Sequence, residues 1–456
     1  MKNLVHLTAI NRDAPSFPFQ YLYSKGYIKS PVLDYGSGRE KDYQTMLEQG
    51  FDAQRYDTYY YPNRPQGLFK TILCTYVLNV LEPQFRIDVL RDIDQLLTPY
   101  GEAYISVTRF VHKPTWSVKH TFQDYVTLPL PIIYENSRLC IYLYRREFLS
   151  DIIGENNFIG GLTPADKSRV RTKEYKSIRL MQSVTERYHP WFLAYSGGKD
   201  SEVLLHLAEK AGIEYTPYYN STTIDIPNTL SWVQKHEQVM INRPAKTFFE
   251  IIAQRGFPNH RRRFCCEMLK EKRMASHIFT GVRKAESNRR KELYKEPEMC
   301  FVYKHGQTST NVMPLLDWTD KDIEQYIALE NIKCHPHYYN QNGQFDVKRR
   351  IGCLACPLRE DRGREQFLQY PRLVKLWCQA MAIYRNTRKQ LIKDVTKYAD
   401  EYAAFYCHIH KITPEILEES NINPKAELEQ EFNIELPEPQ SEIKKIMGKL
   451  ENQQRL

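Results

Sequence analysis

The strongest constraint on this chain lies near its middle. Ser196-Gly197-Gly198-Lys199-Asp200-Ser201 follows an apolar run, Trp191 to Tyr195, and precedes an amphipathic one with Val203, Leu204, Leu205 and Leu207. Strand, glycine turn and helix in that order predict a parallel α/β unit, in which the turn feeds a buried strand into a helix that packs back on the sheet. Two adjacent glycines let backbone N–H groups approach an anion with no Cβ in the way. The helix behind them presents its positive end and Lys199 adds a mobile cation, so the turn suits phosphate oxygens. The pattern G-x-x-x-x-G-K-S/T is absent here, which disfavours ordinary γ-phosphate transfer.

The hexapeptide resembles the PP-loop of ATP pyrophosphatases, which split ATP between the α and β phosphates. That resemblance implies ATP with Mg2+, bound through Ser196, Gly197, Gly198, Lys199, Asp200 and Ser201.

A chain of 456 residues has room for two or three domains with separate cores. Its 42% apolar and 26% charged residues describe a soluble globular protein. No apolar run has membrane-spanning length, and Met1 to Arg12 is too polar for a signal peptide, so a cytoplasmic location is expected. Ten cysteines in such a chain point to metal or redox chemistry rather than a disulfide framework. The net charge of +9 is modest, but basic residues cluster at Arg261 to Arg263, Lys270 to Arg273, Arg289 to Lys291 and Lys348 to Arg350. Such clusters can hold ATP or a polyanion such as DNA or RNA, and the Lys270 to Arg273 run also reads as the solvated face of a helix.

Residues 1–147 alternate strands and helices. Pro31 to Tyr35 is a strand entering Gly36-Ser37-Gly38, a helix runs to about Gln49, and Phe51 to Asp57 is a second strand ending in an acid. Phe69 to Val77 and Ala103 to Val107 are further strands, with a helix from Gln84 to Leu97 between them. A glycine turn after the first strand and a carboxylate after the second is how a doubly wound fold holds a nucleoside. Asp34, Gly36, Gly38 and Asp57 together resemble class I S-adenosylmethionine-dependent methyltransferases over roughly residues 25–147. The resemblance implies S-adenosylmethionine at those four residues, although the further glycine of the pattern is replaced by Arg39-Glu40-Lys41-Asp42.

Residues 148–185, with Gly160-Gly161, read as a linker and leading helix. Residues 186–360 form a second α/β unit: a strand at Glu214 to Tyr219, a helix at Asn228 to Lys235, a short strand at Val239 to Asn242, a helix at Thr247 to Arg255 and a strand at Ile278 to Val282. Residues 361–456 are expected to be helical, with a loosely attached polar tail from Pro414. The fold class is therefore α/β: two doubly wound domains followed by a helical C-terminal region.

Cys265 and Cys266 are adjacent, and Cys353 and Cys356 form a C-x-x-C flanked by Gly352 and Pro357. The C-x-x-C alone could be half a zinc site or a redox dithiol. Neighbouring cysteines rarely converge on one tetrahedral ion but can reach different irons of a cubane, so the four together favour a 4Fe–4S cluster over zinc. Cys74 and Cys140 fall in apolar strands and read as core, and Cys300, Cys334 and Cys378 have no partner spacing.

Loop, vicinal cysteines and C-x-x-C in this order resemble the sulfonucleotide reductases and the related ATP-pyrophosphatase component of DNA phosphorothioation. Ile224-Asp225-Ile226-Pro227, Arg263-Phe264-Cys265-Cys266, Gly281-Val282-Arg283-Lys284-Ala285-Glu286-Ser287 and Pro314-Leu315-Leu316-Asp317-Trp318-Thr319 extend the match over residues 186–360. The resemblance implies that Lys199, Asp200 and Arg283 act in catalysis, with Arg283 neutralising phosphate. It places Asp225 and Glu286 at ATP, and Cys265, Cys266, Cys353 and Cys356 on the cluster.

The reductases carry a nucleophilic cysteine in Glu-Cys-Gly-Leu/Ile-His near the C-terminus. The nearest string here is Tyr406-Cys407-His408-Ile409-His410, which lacks both the glutamate and the glycine. The balance therefore favours a thiolation enzyme that adenylates an acceptor, with a nucleic acid as substrate and a cysteine desulfurase as sulfur donor. A sulfonucleotide reductase using thioredoxin is the alternative, and a non-catalytic nucleotide-binding component of a DNA modification complex is the second. No membrane partner is expected.

Overall fold

The computed structural model describes residues 3–153, 161–259, 261–271, 276–302, 308–388 and 397–439. Gly160, Lys272, Arg273 and the end of the polar tail, residues 440–456, lie outside the described residues. The chain divides into two compact units, residues 1–183 with 317–333, and residues 184–316 with 334–456.

The first unit is built on a six-stranded sheet of order β2-β1-β3-β4-β8-β7. β1 is Val32–Tyr35, β2 Ala53–Tyr56, β3 Phe69–Thr75, β4 Leu97–Thr108, β7 Ile132–Glu135 and β8 Leu139–Tyr144; β5, Thr115–Trp116, and β6, Phe122–Gln123, form a separate small ribbon. β1 to β4 run parallel, and β8 and β7 close the sheet antiparallel. Side chains alternate between two apolar layers, as strand geometry requires. Leu33, Ile72 and Ile105 face one layer with Leu90 and Ile93, while Val32, Leu73 and Tyr104 face the other with Phe19 and Met46. β4 begins six residues earlier than the apolar pattern predicts. The Pro99-Tyr100-Gly101 stretch is extended beside Phe69 across a register shift, and a Cβ on Gly101 would lie 2.8 Å from the Phe69 carbonyl.

The helix Asp320–Leu329 groups with this first unit. It is capped by Thr319 and Asp322, and Asp322 takes Arg169 Nε at 2.9 Å. Trp318 Nε1 donates to Ser177 Oγ at 3.2 Å.

The second unit carries a six-stranded sheet of order β11-β10-β9-β12-β14-β13. β9 is Phe192–Ala194, β10 Thr216–Asn220, β11 Met240–Asn242, β12 His277–Phe279, β13 Glu298–Val302 and β14 Thr308–Val312. All neighbours are parallel except β13 with β14. The helices Arg372–Arg388, Glu401–His410 and Pro424–Phe432 share one apolar cluster with the helix Phe248–Arg255, through Phe248, Ile252, Trp377, Phe405 and Phe432. The expected loose tail is thus corrected as far as residue 439. Leu417, Leu428, Phe432 and Leu436 are buried, and Tyr402 donates its hydroxyl to the Pro437 carbonyl at 2.7 Å. Dense charge around those four side chains hides a stripe of helical period.

Candidate functional site

In both sheets the chain leaves the first strand of the unit in one direction and later returns on its other side: β1 lies between β2 and β3, and β9 between β10 and β12. Such a reversal opens a crevice beyond the carboxyl ends of the strands. Each unit has a cleft there.

The cleft of the second unit measures about 410 Å³, within the range of small-molecule sites. Its floor is the turn after β9. Gly197 holds φ +70°, a backbone conformation that favours glycine, and a Cβ on Gly198 would meet Ser196 Oγ at 3.2 Å. Ser201 Oγ donates to the Gly198 carbonyl at 2.8 Å, and the Ser196 amide donates to Ser201 Oγ at 3.2 Å, so the turn is tied to its own helix, Lys199–Ala211. The Lys199 amide donates to the Tyr338 hydroxyl at 3.1 Å, and Lys199 Nζ lies 3.3 Å from Asp200 Oδ2. Burial pushes the Tyr338 hydroxyl up to about 12, keeping it neutral.

Arg283 is placed differently from the expectation of direct phosphate contact. It is 1% exposed, its Nε sits 2.7 Å from Asp200 Oδ1, and it is not among the cleft-lining residues. The cations that do line the cleft are Lys199, Lys270, Arg290 and Arg350. Lys270 ends a π-type helical turn, Cys266–Lys270, whose closing carbonyl accepts from Asn220 Nδ2 at 3.2 Å. Glu286 lines the cleft too, where it accepts the Arg283 amide at 3.0 Å and pairs with Arg290. Asp225 accepts the Thr222 amide at 3.0 Å and the Thr222 hydroxyl at 2.7 Å. The basic clusters were visible in the sequence; which of their members face the cleft was not, and Tyr338 carried no spacing signal at all.

Cys353 forms part of the same wall, because the C-x-x-C turn is stitched to the segment around Asp225. The two residues form an antiparallel bridge, with the Leu354 amide on the Ile224 carbonyl at 2.6 Å and the Ile226 amide on the Gly352 carbonyl at 3.3 Å. Ala355 takes φ +50° inside the turn and donates its amide to Gln366 Oε1 at 2.7 Å. Gly363 packs so tightly there that a Cβ would fall 2.5 Å from Ala355 Cα. Cys265, Cys266 and Cys353 border one apolar cluster with Leu354 and Ala355. The hydrogen bond from Cys265, aided by Arg263, brings the Cys266 thiol down to about 6 against burial. Cys265 is raised by that bond, by burial and by the nearby Cys353 and Cys356; burial raises Cys353 to about 11 and lifts Cys356 as well. The four thiols thus lie within electrostatic reach of one another. Among the described residues no three His, Cys, Asp or Glu side chains are arranged to hold a single metal ion.

The remaining cysteines are placed elsewhere. Cys74, Cys140, Cys334 and Cys378 are buried and Cys300 is exposed. Cys407 lies inside the helix Glu401–His410 at 2% exposure, with its thiol raised to about 11 by burial.

The cleft of the first unit, about 390 Å³, is lined by the residues that end β1, β2 and β3, among them Gly36, Gly38 and Asp57. Gly36 has φ +74°, and a Cβ there would lie 2.3 Å from Val77 Cγ2. Asp57 accepts the Gly38 amide at 3.0 Å and the Tyr59 and Tyr60 amides at 2.9 Å each, so its carboxylate braces the turn. Asp34 does not line the cleft. It is buried in β1, and burial followed by the nearby Asp42 raises its carboxyl well above the usual range. It is the third residue of β1, whose four residues are all buried.

Among the described residues no helix is long and apolar enough to cross a membrane. Sequence comparison relates the chain to an uncharacterized protein of Methanocaldococcus jannaschii, 22% identical over 52% of this chain and 59% of that protein. It also resembles sulfate adenylyltransferase subunit 2 of Alkalilimnicola ehrlichii, 27% identical over 38% of this chain and 68% of the relative, and that of Caulobacter vibrioides, 27% identical over 50% and 82%. The chain thus spans less than two thirds of the first of these relatives. Among solved structures, the first unit has methyltransferase neighbours. One is the Burkholderia thailandensis 1,6-didemethyltoxoflavin-N1-methyltransferase solved with S-adenosylhomocysteine, 17% identical, TM-score 0.25, covering 28% of this chain and 75% of that one. Another is the glycopeptide N-methyltransferase MtfA, 12% identical, TM-score 0.18, covering 30% and 78%. Residues 190–359 match the phosphoadenosine phosphosulfate reductase domain. The glycine turn, the parallel sheet and the cleft at its reversal point all lie within the residues that carry this match, 190–359.

Proposed function

We propose that the chain is an ATP-pyrophosphatase-type sulfur-transfer enzyme that adenylates a nucleic-acid acceptor and exchanges the activated oxygen for sulfur. The observation that carries this reading is a single cleft lined by the turn from Ser196 to Ser201, by Lys270, Arg290 and Arg350, and by Cys353. Adenylation chemistry also fits the relatives named as sulfate adenylyltransferase subunits.

In this reading an acceptor oxygen attacks the α-phosphorus of ATP. The bond from that phosphorus to the α–β bridging oxygen breaks, and pyrophosphate leaves with Mg2+. The amides of the turn, Lys199 and the rim arginines hold the leaving charge, and Arg283 keeps Asp200 in place behind them. Sulfur at the sulfide oxidation level, supplied by a cysteine desulfurase with a thiol reductant, then attacks the atom bearing the adenylated oxygen. AMP departs with that oxygen and the sulfur loses its proton. Cys265, Cys266, Cys353 and Cys356 are the residues that would hold a 4Fe–4S cluster; their shared neighbourhood and the apolar cluster beside them suit it. Such a cluster, when bound, supplies a redox-active centre that can hold sulfur beside the cleft. In the first unit, Gly36, Gly38 and Asp57 fit S-adenosylmethionine, with Asp34 buried in β1 beside them.

A sulfonucleotide reductase needs an accessible thiol, and Cys407 is buried and held protonated. The deciding experiment is an anaerobic ATP assay that resolves AMP plus pyrophosphate from ADP plus phosphate, with DNA, tRNA or no polymer added. AMP and pyrophosphate stimulated by one polymer is the expected result. Formation of ADP would overturn the reading, as would thioredoxin-dependent sulfite release from adenylylsulfate that disappears in Cys407→Ser. No turnover with any substrate would favour a non-catalytic nucleotide-binding component.

A further inference from the structure

The segment from Phe110 to Thr121 in the first unit contains no Asp or Glu but carries His112, Lys113, Lys119 and His120. It forms the ribbon of β5 and β6, paired Thr115 to Gln123 and Trp116 to Phe122. A tight turn closes it: the Ser117 amide donates to the Thr121 carbonyl at 2.9 Å, and the hydroxyls of these two residues lie 2.6 Å apart. Trp116 packs against Phe122 at 5.3 Å between ring centroids yet remains 40% exposed; Phe110 is 63% exposed. Lys113 and Lys119 are exposed, and among the described residues neither has a carboxylate partner. Asp124, the next acid along the chain, is buried and paired with Arg86 at 2.5 Å.

The ribbon is attached to the wall of the first cleft. The Leu4 amide donates to the His120 carbonyl at 2.9 Å, and the Phe122 amide donates to Asn3 Oδ1 at 3.2 Å. Asn3 Nδ2 in turn donates to the Val80 carbonyl at 2.9 Å. Val5 and Val80 line that cleft. Exposed aromatic rings interleaved with unpaired cations match a strand whose bases can stack and whose phosphates repeat at short intervals. A duplex keeps its base faces covered, so a tryptophan beside lysines selects single strands or locally opened ones.

We propose that this ribbon is a binding site for single-stranded nucleic acid, with Trp116 stacking a base and Lys113 and Lys119 meeting phosphates, which presents a nucleotide to the cleft of the first unit. The proposal rests on the nucleic-acid reading of the acceptor.

The test is fluorescence-anisotropy titration of the full chain with a labelled oligothymidylate of about 16 nucleotides over a salt series. Trp116→Ala is expected to weaken binding about tenfold or more, with Trp116→Phe retaining most of it. Lys113→Gln with Lys119→Gln should reduce the slope of log affinity against log salt by about 1.4, two phosphate contacts on a single strand. Wild-type affinity and slope in both variants would overturn the proposal, as would failure of the unaltered chain to bind any single strand. Pyrophosphate release from ATP with DNA, tRNA or no polymer added, measured on the same protein preparations, separates the two readings. If it persists while the ribbon variants bind normally, the ribbon assignment fails and the adenylation chemistry stands. If it is absent with every polymer while the variants lose binding, the ribbon stands and the proposed reaction falls.

Discussion

Arg283 and Asp200 form an ion pair, Nε to Oδ1 at 2.7 Å, with the arginine 1% and the aspartate 21% exposed. Lys199 approaches the other carboxylate oxygen at 3.3 Å, so Asp200 is held between two cations at the start of the helix that closes the glycine turn. Removing the arginine leaves Asp200 partly exposed with Lys199 as its remaining cation, so the cost is that of a lost charged hydrogen-bonding partner, about 1–3 kcal/mol. Arg283→Ala is therefore expected to destabilise the second unit by that order and to weaken ATP binding as a consequence, with Arg283→Lys intermediate because an ammonium lacks the guanidinium fork. Urea unfolding and ATP titration decide the matter. Wild-type stability combined with lost ATP affinity would mean that Arg283 touches phosphate rather than positioning Asp200.

Gly36 has both a left-handed backbone and a neighbour that forbids a Cβ, since Val77 Cγ2 would stand 2.3 Å away. Gly36→Ala is expected to cost about 1–3 kcal/mol through strain and to displace the turn that ends β1. Binding of S-adenosylhomocysteine, followed by calorimetry, should fall at least tenfold, and Gly36→Ala with Val77→Ala should recover stability in part, because the clash is relieved while φ is not. Unchanged binding in the single variant would show that this turn does not support a nucleoside.

Both glycine turns and the order of strands around them were legible in the sequence, since strand, turn and helix are local patterns. What was not legible depends on contacts between residues far apart in the chain. Arg283 reads as a phosphate ligand because its place opposite Asp200 exists only once β9 and β12 are paired. Asp34 reads as a ligand because its position in the string is right, but burial of β1 on both faces takes it out of the cleft. The run Lys270 to Arg273 reads either as an anion-binding cluster or as a solvated helical face, and the π-type turn Cys266–Lys270 brings Lys270 to the cleft of the second unit. The antiparallel strands β13 and β14 lacked an alternating apolar pattern, because Thr308–Val312 is polar and is placed by its partners β12 and β13.

Asp322 makes the packing of the helix Asp320–Leu329 depend on pH. Burial alone would raise its carboxyl, but the hydrogen bonds from Lys173, Thr319 and Arg169 outweigh that and bring it down to about 2. A depressed folded value contributes stability above the unfolded value of 3.8, and that contribution is lost as pH falls through about 2. The difference corresponds to about 2 kcal/mol at neutral pH. Asp322→Asn should therefore lower hydrogen-exchange protection of this helix near pH 7, and the gap from the unaltered chain should close toward pH 2. A gap independent of pH would show that the charge contributes nothing and only shape matters.

The cysteines divide into two sets with opposite expected behaviour. Cys265, Cys266, Cys353 and Cys356 share one neighbourhood, with Cys353 lining the cleft of the second unit, whereas Cys407 is enclosed by the C-terminal helices. Anaerobically purified protein is expected to carry about four irons and four acid-labile sulfides per chain, the content of one cubane. Replacing any of the four by Ser should lower that content and the stability of the helical region together, because Cys265 belongs to the same apolar cluster as Trp377 and Phe405. Cys407→Ser should retain iron, sulfide and ATP cleavage, at a stability cost of about 1–2 kcal/mol for a hydroxyl placed in an apolar site. Iron that survives in all four single variants, or is lost in Cys407→Ser, would rule out the assigned ligands; about one zinc per chain in place of iron would show that the two cysteine pairs converge on a single ion.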